Sequence, residues 1–154
     1  MPGPLQSVLF HLPTYSFETN SAEKTGLSIS PLGGLEIVSG DMAIRQSIKL
    51  LLSTRPGERV MRPDYGCPLH RLAFEPNDAA TAGLAMHYIR EAITLWEPRV
   101  EILSLTADHG APQDRGEGQI IIHLQYRISM SGHTSKLSFD LNLDGRGKNA
   151  ISNA

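Results

Sequence analysis

The chain has 154 residues, 40% of them hydrophobic and 19% charged, with 14 glycines and 10 prolines. That size and mix describe one folded domain with substantial loops, and they exclude a disordered chain or a coiled coil. The 14 basic and 16 acidic residues leave a net charge of −2, which argues against non-specific binding to nucleic acid or insertion at an anionic membrane. Cys67 is the single cysteine, so no internal disulfide and no Cys-based zinc spacing is possible, and synthesis in a reducing cytoplasm is expected. The opening MPGPLQSVLFHLP lacks a basic start, and its apolar run is broken at His11 and Pro13, so it does not read as a signal peptide. No apolar stretch approaches the roughly 20 residues that cross a bilayer.

Residues 1–26 are polar and irregular and read as an arm. Leu27–Ile29 and Leu35–Val38 are expected as two short strands around the turn at Pro31-Leu32-Gly33-Gly34. Asp41 is the expected N-cap of a helix carrying Ile44, Ile48, Leu51 and Leu52 on one face, ended by Pro56-Gly57. The segment 55–76, with four prolines and two glycines, reads as a fixed loop with one helical turn near Leu69–Phe74. Pro76-Asn77-Asp78 starts a second helix. Its rows Ala82, Ala85, Met86, Ile89, Ala92, Ile93, Trp96 and Leu84, Tyr88, Leu95 predict cover on two sides. Glu97 precedes Pro98 and leaves helical geometry, closing that helix near Trp96.

Three strands are expected next. Val100–Thr106 alternates imperfectly, Ile120–Ile128 alternates as a half-buried strand, and Leu137, Phe139, Leu141 and Leu143 alternate strictly with polar residues. The tail from Asp144 is expected to be flexible. The order of helices first and an antiparallel meander second predicts an α+β fold, two main helices on a three- to four-stranded antiparallel sheet. The boundaries are arm 1–26, domain 27–143 and tail 144–154.

Catalytic, cofactor and metal sites find little support. The six histidines form no HxxxH or HExxH pair. No GxSxG occurs; Ser21-Ala22-Glu23-Lys24 matches SxxK inside the arm, where no site is expected. Gly145-Arg146-Gly147-Lys148 has no helix after it to supply a phosphate site. Glu58, Asp64, Glu97 and Glu101 could furnish an acid and a base for glycoside cleavage. Each also lies near an arginine (Arg59, Arg62 or Arg99), and simple ion pairing is the blander reading.

Two segments are unusual for pure packing: Thr54–Gly66, dense in arginine and stiffened by proline, and the corner Trp96-Glu97-Pro98-Arg99. In extended chain, residues two apart share a side, so Glu97 and Arg99 project together. That pair suits either a docking element or an internal bridge tying helix to loop.

In order, Gly57-Glu58-Arg59, Met61-Arg62-Pro63-Asp64-Tyr65-Gly66, Leu72-Ala73-Phe74-Glu75-Pro76, a helix and Trp96-Glu97-Pro98-Arg99 precede a strand. This arrangement, from about Asp41 to about Ile128, resembles the baseplate wedge and sheath-initiator family of contractile phage tails, type VI secretion (TssE-like) and extracellular contractile injection systems. The resemblance implies a non-enzymatic assembly role without cofactors, in six copies, in a phage tail or tail-like particle. The implied partners are wedge proteins, sheath subunits, the central spike or hub and tube-initiator proteins. It implies a small α+β domain resembling the sheath-subunit core. Glu97, Pro98 and Arg99 would contact the wedge core, with Gly57, Glu58, Arg59, Pro63, Tyr65 and Gly66 shaping the loop beside them. If the strand bearing Leu137, Phe139, Leu141 and Leu143 is last in the sheet, its open edge would receive sheath arms by strand addition. The rival classes are a stand-alone anti-adaptor-like regulatory binder and a peptidoglycan hydrolase.

Overall fold

The apolar spacings in the two helical segments translate directly into buried faces. A computed structural model describes residues 6–8, 10–11, 26–27, 33–108, 118–143 and 150–152. In chain order the elements are β1 (Gln6–Val8), β2 (Phe10–His11), β3 (Gly26–Leu27), β4 (Ile37–Ser39), α1 (Asp41–Ser53), a 3-10 turn (Pro68–Leu72), α2 (Ala79–Trp96), β5 (Val100–Asp108), β6 (Gln119–Ile128), β7 (Thr134–Asn142) and β8 (Ala150–Ser152). The fold is α+β, two helices packed on an antiparallel sheet of order β5-β6-β7-β8.

Helix α1 buries Ala43, Ile44, Gln46, Ile48, Leu51 and Leu52. Its N-cap is Gly40 rather than the expected Asp41. Gly40 takes φ 61°, a conformation that suits glycine, and Asp41 becomes the first helical residue. The Asp41 carboxylate instead accepts from Ser131 Oγ at 3.3 Å and bonds His133 Nδ1 at 2.7 Å, tying the helix start to the β6–β7 turn. Asp78 does cap α2, its Oδ1 accepting from Thr81 N at 2.8 Å, and the helix ends at Trp96 as Pro98 requires.

Among the described residues, the second apolar row of helix α2 is not fully covered. Ala82, Ala85, Ile89, Ala92 and Ile93 are buried, whereas Leu84 and Leu95 are exposed and only Tyr88 of that second row packs on the core. The expected hairpin before α1 also differs. Strand β4 pairs with β1 and strand β3 with β2, so both partners come from the arm. Residues 28–29 of the expected first strand lie outside the described ones.

The core is completed by Ile120, Ile122, Leu124, Tyr126 and Ile128 of β6 and by Leu137, Phe139 and Leu141 of β7, followed by Leu143. The imperfect alternation of β5 has a local cause, a register shift between Ile102 and Ser104 that leaves Leu103 bulged and part-exposed. Strand β7 is not the last of the sheet. Residues Ser138–Asp140 pair with β8, a strand inside the segment expected to be a flexible tail. Strand β5 runs as far as Asp108, and residues 109–117 and 144–149 lie outside the described ones.

Candidate functional site

The proline- and glycine-rich segment between α1 and the 3-10 turn is closed at its base, its neck and its turns. At the base, Cys67 N donates to Thr54 O at 2.9 Å; at the neck, Gly57 N donates to Pro63 O at 2.6 Å. Successive turns are closed by Glu58 N to Arg55 O, Arg62 N to Arg59 O and Tyr65 N to Arg62 O, each 3.1 Å. The Glu58 carboxylate turns back to accept from Arg55 N at 2.9 Å. Gly66 is required here by space as well as conformation. It sits at φ +135°, and a Cβ there would lie 2.5 Å from Thr54 O.

Aromatic contacts carry this loop to the end of α2. The Arg59 guanidinium lies 4.0 Å from the centroid of the Tyr65 ring, a cation–π contact. Tyr65 in turn meets Trp96 edge-on, with centroids 5.3 Å apart. Burial pushes the Tyr65 hydroxyl pKa up, and nearby Glu97 adds to this while Arg59 opposes it. Cys67, sealed under the loop, has its thiol pushed up to about 12 by burial and is not a nucleophile at neutral pH.

The corner itself is an internal bridge. Arg99 grips the Glu97 carboxylate with a two-point fork, Nε to Oε1 and Nη2 to Oε2 at 2.6 Å. Glu97 is only 3% exposed, whereas the Arg99 side chain is 35% exposed. The fork uses two of five guanidinium N–H groups, and the Arg99 side chain is partly exposed. Backbone bonds fix the corner: Glu97 N to Ile93 O, Val100 N to Glu97 O, and Ser129 N to Arg99 O. Internal pairing and a part-exposed arginine thus coexist in one structure.

Loop and corner therefore form one platform joined through Tyr65 and Trp96. It gathers Gly57, Glu58, Arg59, Pro63, Tyr65 and Gly66 on the loop, beside the Glu97-Pro98-Arg99 corner. Trp96 was legible as a core position of α2 and as the start of the corner, but its role in joining the two segments depends on a contact that spacing cannot show. Three of the four carboxylates are engaged apart from one another: Glu58 serves the loop backbone, Glu97 is forked to Arg99, and Glu101 pairs with Arg127 at 2.6 Å. Asp64 is exposed on the loop. A cleft of about 600 Å³ between α2 and β5 includes Glu101 as its one carboxylate, beside Arg90, Pro98 and Leu103.

The strand expected to meet the sheath is placed differently. Leu137, Phe139, Leu141 and Leu143 all lie in the core, so their side chains are not available to a partner. The middle of β7 is paired on both sides, and Arg45 Nη2 occupies the Lys136 carbonyl at 2.7 Å nearer its start. The expectation of an open β7 edge gives way to one with β5 and β8 outermost.

Fold and site together define a small α+β domain that carries a preformed surface platform. Residues 38–133 match the model of the baseplate wedge protein gp25 family, well over half of the chain, and the chain belongs to that family. It is 32% identical over 66 residues to the baseplate wedge protein gp25 of Enterobacteria phage T4, covering 43% of this chain and 50% of that protein. The chain thus spans half the length of that curated relative. Among solved structures, a candidate tail lysozyme from Geobacter sulfurreducens is 37% identical, with a TM-score of 0.60 over 70% of this chain and 94% of that one. A chain of the anti-feeding prophage baseplate is 26% identical, with a TM-score of 0.60 over 67% and 80%. A chain of the type VI secretion baseplate complex shares the fold at 19% identity, with a TM-score of 0.52 over 66% and 92%.

Proposed function

We propose that this protein is a structural, non-enzymatic component of the baseplate of a contractile injection machine. In this reading it joins wedge proteins to the central spike or hub and templates the first sheath ring, in six copies per baseplate. The observation that carries the reading is the platform. Its loop is closed by backbone bonds and locked onto the corner, and its buried Glu97 is satisfied by Arg99. A surface held this firmly loses little freedom on docking, which favours binding. Arg99 meets the wedge core with its part-exposed side chain, while Pro98 fixes the angle and the loop residues hold the neighbouring surface. Sheath arms, where they add strands, use main-chain groups of an outer strand, because the β7 side chains are in the core. Tube-initiator proteins complete the set of neighbours.

The candidate-lysozyme label of one similar structure favours a second reading, peptidoglycan hydrolysis. Against it, Glu58, Glu97 and Glu101 are separately engaged, and glycoside cleavage needs an acid and a base flanking one bond. Deletion of the gene tests both readings. Loss of sheathed particles, restored by the intact protein, is expected. Normal particle yield in its absence, or digestion of isolated cell walls by the purified protein, would overturn the structural reading.

A further inference from the structure

Val60 and Met61 occupy the tip of the platform loop and are 94% and 91% exposed, more than any other large apolar side chain among the described residues. Single exposed apolar residues are ordinary on protein surfaces. These two are adjacent and bracketed by a closed turn, since Arg62 N donates to Arg59 O across them. Beneath them lie the Gly57–Pro63 neck and the Thr54–Cys67 base. Arg59, on one flank, is held against the Tyr65 ring, and Arg62 on the other flank is exposed. The nearest acid, Glu58, has its carboxylate turned back onto the backbone of Arg55. The tip thus presents an apolar pair between two cations, on a frame whose bonds are already made.

We infer that Val60 and Met61 are anchors that enter an apolar pocket rimmed by Asp and Glu on a neighbouring protein of the assembly. The acidic rim follows from the two flanking arginines, and the pocket from the pairing of a stiff β-branched side chain with an adaptable thioether. The tip does not suit a lipid surface. Two side chains offer little apolar depth, and the loop's three arginines are offset by Glu58 and Asp64, where membrane attachment needs a broad apolar face or a basic cluster. The inference rests on the assembly reading and adds to it a contact distinct from the Glu97-Pro98-Arg99 corner.

The test places the photo-crosslinking residue p-benzoylphenylalanine at position 61 of the full chain, expressed with the rest of its machine. Position 84 is the control, since Leu84 is also exposed and lies on α2 far from the corner. Irradiated particles should yield a crosslink from position 61, mapped by mass spectrometry to a partner segment with apolar residues beside Asp or Glu, and none from position 84. The variant Val60→Ser/Met61→Ser should melt as the intact protein does yet enter particles at least tenfold less, and Leu84→Ser should enter normally. Arg62→Glu should lower incorporation at least fivefold. Crosslinks only to lipid or to another copy of this chain, or wild-type incorporation of the Val60→Ser/Met61→Ser variant, would overturn the inference. If the chain enters particles and the tip crosslinks nothing, this inference alone fails. If the intact chain is absent from particles, the assembly reading fails with it.

Discussion

Two regions stand out in the sequence as partner-facing, the Thr54–Gly66 loop with its Glu97-Pro98-Arg99 corner and the strand ending at Leu143, and they fold to opposite ends of the exposure scale. The loop is bonded internally and leaves its tip exposed and Arg99 part-exposed. The strand turns every second side chain into the core and has β8 along its middle. Strict alternation measures how firmly one face is buried, and says nothing about whether the strand has a neighbour on its other side. Proline and glycine density, by contrast, marks backbone that resists joining a sheet or helix and must find its own bonds.

The comparison breaks most sharply at Phe139. Phe139→Ala removes a buried ring from β7 and should destabilise the isolated protein by about 3–5 kcal/mol in urea unfolding, as core truncations do. A loss under about 1 kcal/mol would return the strand to the surface. On the loop, Gly66→Ala forces a Cβ against Thr54 O and a side chain into positive φ. An expected cost of about 1–3 kcal/mol should appear as a lower melting temperature, with protease cleavage between Thr54 and Cys67.

At the corner, Arg99→Ala strands the buried Glu97 carboxylate and should cost about 1–3 kcal/mol. The double variant Glu97→Gln/Arg99→Ala should recover part of that loss, because no buried charge remains. If single and double variants unfold at the same urea concentration, Glu97 does not depend on the fork. The smallest effect near neutral pH concerns Cys67. Its folded pKa is raised from 9.0 to about 12, so above pH 9 the unfolded chain loses the proton first. Stability therefore falls as pH rises from about 9 towards 12 and is unaffected below that window. Cys67→Ala should flatten the fall, and the folded protein at pH 8 should resist iodoacetamide.

The elements legible in the sequence were those set by neighbours along the chain. The α1 and α2 faces, the helix start at Pro76-Asn77-Asp78, the stop before Pro98 and the alternation of β6 and β7 depend on periods of a few residues. What spacing could not show were the partners. Gly40 displaced Asp41 as the cap of α1 because Asp41 found His133 across the fold. Leu84 and Leu95 matched a buried row, yet both are exposed, since that part of the α2 surface meets no neighbour among the described residues. Strands β3 and β4 paired with the arm instead of each other.

The platform divides in the same way. Sequence by itself determined that residues 54–66 form a stiff, charged loop and that Glu97 and Arg99 point to one side, because proline geometry and extended-chain alternation act within a few bonds. Tertiary structure decided that Glu97 is sealed while Arg99 stays part-exposed, that Arg59, Tyr65 and Trp96 meet in one unit, and that β7 lies inside the sheet. Each of these outcomes depends on groups far apart in the chain competing for the same surface. The arrangement that buries the most apolar area while leaving fewest polar groups unpaired is chosen by the whole fold.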